Sequence, residues 1–294
     1  MESLTLEQLC RDAASRLQPR YGSGEAQWMV RIMMRELKGY SQVDLAVKAR
    51  NPVSDFLRGK TDDTVRRLLQ GDPIQYIFGI TDFYGLRLHV SPDVLIPRPE
   101  TAELVDLIVK ENSSRSDLSV LDVCTGSGCI AVALARNLPF SKVEAIDISA
   151  PALEIARRNA AELKVRIDFL QADALKLAPE TSPQFDIIVS NPPYVLDSER
   201  RDMEANVLAH EPALALFVPD DDPLRFYTSI ARYALTALKP EGRLYFEVNP
   251  LTVEQLAQEM RADGWDSVSV LPDSSRAERR EPVQENRRSY KQST

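Results

Sequence analysis

From Leu118 onward the chain alternates short apolar runs with amphipathic stretches, and this alternation leaves few folds open. The spacing predicts strands over 119–123, 143–147, 166–170, 185–190, 243–248 and 267–271. Between them it predicts helices over 128–137, 150–163, 223–238 and 251–263. A parallel strand needs a crossover to reach its neighbour, and a helix is the usual crossover. The expectation is therefore an α/β fold with a mostly parallel, Rossmann-like sheet covered by helices on both faces. Such sheets bind ligands beyond the carboxyl ends of their strands, so the chemistry should lie in the loops that follow them.

The residues before this region read differently. Leu6, Leu9, Cys10, Ala13, Ala14 and Leu17 share one helical face, and Thr5 with Gln8 forms a capping box ahead of them. Ala26, Met29, Val30, Met33 and Leu37 mark a second helix that Gly39 should stop. A third begins near Thr61 and ends at Gly71, with Pro73 beyond it. Residues 1–73 thus predict a small helical bundle. Residues 74–100 predict a β-hairpin about Gly85 and a proline-stiffened linker, Ile96-Pro97-Arg98-Pro99. The α/β domain then runs over 101–272, opening on a helix from Thr101. Residues 273–294 have little apolar content beyond Val283 and Tyr290, and the expectation is a poorly ordered tail.

Charge narrows the partners. Residues 1–70 hold 12 Lys+Arg against 9 Asp+Glu, and the rest hold 24 against 35, a balance of -11 within a net charge of -8. An acidic body is a poor platform for counterion release from nucleic acid. No apolar run approaches the roughly 20 residues that span a bilayer, and the first residues lack the pattern of a signal peptide. Cys10, Cys124 and Cys129 are odd in number and lack CxxC spacing, which fits a reducing cytoplasm. His89 and His210 lie far apart in sequence, so no metal is assigned.

Four segments carry chemistry. Val120 to Gly128 is a buried strand feeding a turn of small residues, Cys124-Thr125-Gly126-Ser127-Gly128, and then a helix. Glycines there let backbone approach a nucleotide-like ligand closely. Asp147 ends the next predicted strand, where a carboxylate can accept from ribose hydroxyls; capping the following helix is the plainer reading. Asp173 follows the third strand, as a partner for an adenine amino group or as a solvated loop acid. Asn191-Pro192-Pro193-Tyr194 ends an apolar strand and is the most specific signal. The Asn191 side-chain oxygen and the Pro192 main-chain carbonyl can accept both hydrogens of a planar NH2. That would hold a weakly nucleophilic nitrogen in line with a methyl donor, with Tyr194 stacked over the flat group. Glu211-Pro212 reads as a surface turn or as a brace for this loop.

Together with Gly71-Asp72-Pro73-Ile74-Gln75-Tyr76, Phe83-Tyr84-Gly85, Leu95-Ile96-Pro97-Arg98-Pro99-Glu100-Thr101 and Glu211-Pro212-Ala213-Leu214, these segments resemble the HemK/PrmC family over residues 1–271. The resemblance implies a class I methyltransferase domain that uses S-adenosyl-L-methionine and releases S-adenosyl-L-homocysteine. It implies that Cys124–Gly128, Asp147, Asp173, Ala174 and Asn191 hold the cofactor, and that residues 191–194 hold a substrate glutamine. That glutamine is the one in the Gly-Gly-Gln tip of peptide chain release factors 1 and 2, and the helical domain would contact the factor. Three features depart from the family pattern: Cys124 stands where glycine is usual, Ala174 where some members carry an aromatic residue, and the tail does not read as the usual closing strand.

Three other readings remain at this stage. An adenine-type amino-methyltransferase acting on nucleic acid could use the same Asn-Pro-Pro-Tyr loop. A nicotinamide-dependent oxidoreductase could use Gly126-Ser127-Gly128 as a loose dinucleotide turn, though it would leave 191–194 unexplained. Cys124 and the unusual tail would also fit a protein that binds without catalysis.

Overall fold

A computed structural model describes residues 4–179, 184–203, 205–271 and 283–284. The chain forms two compact units, Met1–Gly79 and Ile80–Thr294.

The first unit is helical. Helix α1 (Leu6–Lys38) starts at a capping box in which Thr5 and Gln8 satisfy each other's amides. Its course is interrupted at Gly22, whose φ of 76° and ψ of 167° are not helical, so the two helices read from sequence form one kinked element. Gly39, left-handed, closes it. A six-residue helix α2 (Gln42–Val47) follows, too short for its periodicity to register in the sequence. Helix α3 (Asp55–Gln70) begins six residues earlier than expected because Ser54 caps it, and it ends at left-handed Gly71. Helix α4 (Ile74–Phe78) corrects the boundary expected at residue 73: Ile74 is buried in this unit's core with Leu17, Met33 and Leu68, and the division falls after Gly79.

The second unit opens on the hairpin β1 (Ile80–Phe83) and β2 (Leu86–His89). Tyr84 and Gly85 both have positive φ, the conformation a tight two-residue hairpin turn needs. Helix α5 (Pro99–Glu111) leads into the alternating series β3 (Ser119–Val123), α6 (Cys129–Asn137), β4 (Lys142–Asp147), α7 (Ala150–Glu162), β5 (Ile167–Gln171) and β6 (Phe185–Ser190). A small pair, β7 (Val195–Leu196) and β8 (Phe217–Val218), flanks helix α8 (Ala205–His210). Helix α9 (Arg225–Ala237), β9 (Leu238–Phe246), α10 (Val253–Ala262), β10 (Ser269–Val270) and β11 (Val283–Gln284) complete it.

Seven strands form one sheet in the order β10-β11-β9-β6-β3-β4-β5. The pairs β5–β4, β4–β3, β3–β6 and β6–β9 are parallel, and β11 runs antiparallel to both β9 and β10. Residues 283–284 therefore do form a strand of this sheet, against the expectation for the tail; the remainder of 273–294 lies outside the described residues. One face of the sheet packs Leu121, Ile188, Leu244 and Phe246 against α9 and α10. The other packs Val120, Ile187, Val189 and Tyr245 against α5 and α6. Strand β6 is buried at all six positions, as a central parallel strand covered on both sides must be. Among the described residues no helix is long and apolar enough to cross a membrane.

Two positions in this frame yield predictions. Gly128 caps α6 with φ 78°, and a Cβ placed there would stand 3.0 Å from the Ala156 Cβ and 3.2 Å from its Cα on α7. Gly128→Ala should therefore destabilise the unit by about 1–3 kcal/mol, read as a fall in the urea midpoint. Asp122, fully buried in β3, has its carboxyl pushed up to about 7 by desolvation, against hydrogen bonds from Thr125 and Ala131. A folded state that holds this proton more tightly than the unfolded chain is favoured at acid pH. Asp122's contribution should be lost as pH rises from the unfolded carboxyl range to about 7, at up to about 1.4 kcal/mol per pH unit. Urea titrations at pH 5 and pH 8 should show Asp122→Asn losing less stability across that interval than the wild type.

Candidate functional site

The strand order reverses at β3: the chain lays β4 and β5 on one side of it, then crosses to place β6 on the other. In parallel register Val123 pairs with Ser190, so the two loops that leave these strands start side by side. Ser190 Oγ donates to the Val123 carbonyl at 2.6 Å and ties the strand ends together. The glycine turn and the Asn-Pro-Pro-Tyr loop thus open into one cleft at the switch point, a place where parallel sheets bind ligands.

The cleft has a volume of about 470 Å³, inside the range of roughly 300–1,000 Å³ common for small-molecule sites. Its wall is made by Cys124–Ser127, Asp147, Asp173, Ala174, Asn191 and Pro193, together with Val94, Pro97, Thr101, Phe217 and Phe226. Gly126 has φ 54° and nothing within 4 Å of the position a Cβ would take, so this glycine leaves open space toward the cleft. Gly128 and Pro192 adjoin this lining in sequence and are not themselves part of it. Cys124 adopts φ 61°, a conformation that explains why glycine is usual at such a position. Its thiol is pushed up by burial and by the Asp147 carboxylate.

The turn is held from below and from the side. Asp122 Oδ2 accepts from the Thr125 hydroxyl at 2.6 Å and the Ala131 amide at 3.1 Å. Asp147 Oδ2 accepts the Gly126 amide at 2.8 Å, and its Oδ1 accepts the Ser149 amide at 2.9 Å. Ser149, not Asp147, caps α7, so the plainer reading of Asp147 fails. Burial raises the Asp147 carboxyl, and the amides of Ser149 and Gly126 counter that shift. Beside these amides the carboxylate keeps lone-pair capacity for hydroxyls. The same contact weighs against a dinucleotide: the Gly126 amide that would meet a pyrophosphate already serves a carboxylate. Asp93, Asp147 and Asp173 face the cleft with Arg225 as their counter-charge, a balance that suits a ligand carrying positive charge.

Asp173 caps the short turn 174–176 through the Leu175 amide at 2.9 Å and pairs with Lys176 at 3.0 Å; these contacts hold its carboxyl low. Ala174 is buried, and its carbonyl accepts from Ser229 at 2.7 Å. An S-adenosylmethionine molecule needs close backbone approach, hydroxyl acceptors and room for an aromatic base, and these residues supply all three.

On the facing loop, the Asn191 side-chain nitrogen donates to Thr101 Oγ1 at 3.2 Å, and no protein donor meets its Oδ1 among the described residues. Tyr194 departs from its expected place. Its ring packs partly buried against the core, its hydroxyl donates to Glu247 at 3.1 Å, and it does not line the cleft. Its main chain is fixed as well: the amide donates to the Leu216 carbonyl at 3.2 Å, and Asn249 donates to its carbonyl at 3.1 Å.

Several residues of the site were not singled out in the sequence. Thr101 and Glu247 sit buried beneath Asn191, joined at 2.7 Å. The available signal was a carboxylate closing the apolar run 244–248. Glu211 is buried as well. It accepts from the Ile96 amide at 3.3 Å and from Arg98 at 2.5 Å, so it anchors the proline-rich segment that delivers Thr101. Glu211 is thus neither part of a surface turn nor a brace on the 191–194 loop: its side chain holds 96–98.

The chain matches the Methyltransferase small domain family over residues 101–216 and the PrmC N-terminal domain over residues 8–79. It is 44% identical to a release factor glutamine methyltransferase of Bacteroides thetaiotaomicron over 257 residues, 87% of this chain and 92% of that protein. It is 35% identical to the one of Neisseria gonorrhoeae over 243 residues, 83% and 88% of the two chains. Among solved structures, the catalytic domain of hMettl16, determined with a MAT2A 3'UTR hairpin, superposes with a TM-score of 0.53 at 17% identity, covering 72% of this chain and 78% of that one; this likeness concerns the fold. On these grounds the chain belongs to the release factor glutamine methyltransferase family, within the methyltransferases that use S-adenosylmethionine.

Proposed function

We propose that the cleft transfers a methyl group from S-adenosylmethionine to the side-chain amide nitrogen of the glutamine in the Gly-Gly-Gln tip of release factors 1 and 2. The observation that carries this is that Asn191, whose Oδ1 meets no protein donor among the described residues, lines the same cleft as the glycine turn. In this reading the main chain of Cys124–Ser127, with Asp147, Asp173 and Ala174, holds the cofactor. Asp147 takes the ribose hydroxyls on its free lone pairs. The bound cofactor supplies an electrophilic methyl on a sulfonium.

The rest is orientation. An amide nitrogen is a poor nucleophile because its lone pair is delocalised into the carbonyl. Asn191 Oδ1 and the Pro192 carbonyl accept its two hydrogens, which fixes the nitrogen and favours loss of the proton that must leave as the N–C bond forms. The prolines present those acceptors without offering competing amide donors. Fixed dipoles aimed at the developing charge do not have to reorganise during transfer. The helical unit, residues 1–79, would grip the body of the release factor. The free thiols of Cys10, Cys124 and Cys129 fit a reducing compartment, and the reading carries a cytoplasmic location with it. The adenine-type alternative finds no support in the relatives.

Mass spectrometry of each release factor, incubated with the protein and methyl donor, should show a gain of one methyl group on the Gly-Gly-Gln peptide. DNA and RNA offered in the same assay should remain unmethylated. Asn191→Ala should lower the single-turnover rate by about 10²-fold or more and leave the cofactor Kd from calorimetry nearly unchanged. A rate close to wild type would remove Asn191 from the reaction.

A further inference from the structure

One carboxylate lies outside the cleft wall yet reaches the side chains that steer the amide-holding loop. Glu247 follows β9, is 8% exposed, and has its main-chain amide on the Ser190 carbonyl at 3.1 Å. Its Oε2 accepts from Thr101 Oγ1 at 2.7 Å and its Oε1 accepts from the Tyr194 hydroxyl at 3.1 Å. Thr101 Oγ1 in turn accepts from Asn191 Nδ2 at 3.2 Å.

These contacts have a direction. A threonine hydroxyl has one hydrogen, and a carboxylate can only accept. With that hydrogen given to Glu247, Thr101 can meet Asn191 only as an acceptor, so it must face the Asn191 NH2. The two ends of an asparagine amide are nearly the same size, so packing does not choose between them; hydrogen-bond polarity does. We infer that Glu247 is a positioning residue that, through Thr101, fixes the side-chain amide of Asn191 so that Oδ1, rather than the NH2, faces the substrate amide. The inference rests on the reading of Asn191 as the acceptor of the substrate NH2.

The consequence of losing that polarity is specific. Glu247→Gln keeps the shape but can donate to Thr101 Oγ1, which frees the hydroxyl hydrogen for Asn191 Oδ1. The amide then turns over and sets a donor against the donor hydrogens of the substrate. Cofactor binding, read on the main chain of 124–127 with Asp147, Asp173 and Ala174, is not touched by this change.

Four variants test it in single-turnover transfer to intact release factor, with cofactor Kd and thermal unfolding measured alongside: Glu247→Gln, Thr101→Val, Thr101→Ser and Asn191→Ala. The expected result is a rate lower by about 10²-fold for Glu247→Gln and Thr101→Val, with cofactor Kd unchanged and most of the loss recovered in Thr101→Ser. A release factor whose tip glutamine is replaced by glutamate adds a readout that a general structural defect would not give. Glu247→Gln should shift binding preference toward that acceptor-only tip relative to wild type. Should Glu247→Gln fail to fold, the Thr101 pair still decides. With Asn191→Ala inactive, a wild-type rate in Glu247→Gln, or Thr101→Ser as slow as Thr101→Val, overturns the inference. An active Asn191→Ala instead overturns the reading of Asn191 on which it stands.

Discussion

The site depends on the parallel pairing of Val123 with Ser190. Adjacent strands in a sheet lie about 4.8 Å apart, so loops that leave their paired ends begin within a few ångströms of one another. In the proposed reading one loop serves close approach to the cofactor and the other presents acceptors to the substrate. Neither would function alone, because methyl transfer needs donor and nitrogen in line within one small space. The topology makes them neighbours: the chain turns back at β3, and β6 takes the vacant side. Ser190 Oγ on the Val123 carbonyl reinforces the pairing where strand hydrogen bonding would otherwise fray.

Around that junction, buried and half-buried carboxylates hold the loops in place. Asp147 takes the Gly126 and Ser149 amides, Glu211 takes the Ile96 amide and the Arg98 guanidinium, and Glu247 gathers the hydroxyls of Thr101 and Tyr194. Burying a carboxylate is unfavourable unless donors meet it. Asp147 and Glu247 are each met by donors from two separate segments, and Glu211 ties the 96–98 segment to its own, so the loops can satisfy these acids only in one arrangement. Such over-determined loops are rigid, and rigidity is what orientation-based catalysis requires. Desolvation raises both Asp147 and Glu247, with hydrogen bonds opposing the shift at each.

Much of the frame was legible because its signals are local. Strands β3 and β6 match their expected limits, since a buried parallel strand is a continuous apolar run bounded by turn residues. The capping box at Thr5 and the stops at Gly39 and Gly71 follow from the few backbone groups that each helix end leaves unpaired. Short or long-range features were hidden. Helix α2 is shorter than two turns. Strand β11 has two residues and exists because β9 and β10 each offer it an edge.

The sequence by itself determined the α/β class, the turn at 124–128, the Asn-Pro-Pro-Tyr loop at 191–194 and the carboxylate that ends the strand at 147, because each is written in consecutive residues or in the local period of a strand or helix. It also placed the chain near its family through the order of those segments. Only the tertiary structure decided that Tyr194 turns away from the cleft toward Glu247, that Glu211 anchors Arg98, and that Thr101 orients Asn191. These are hydrogen bonds between residues 53, 113 and 90 positions apart. Their partners are chosen by which buried donors and acceptors the sheet brings together, and no local pattern in the chain encodes that choice.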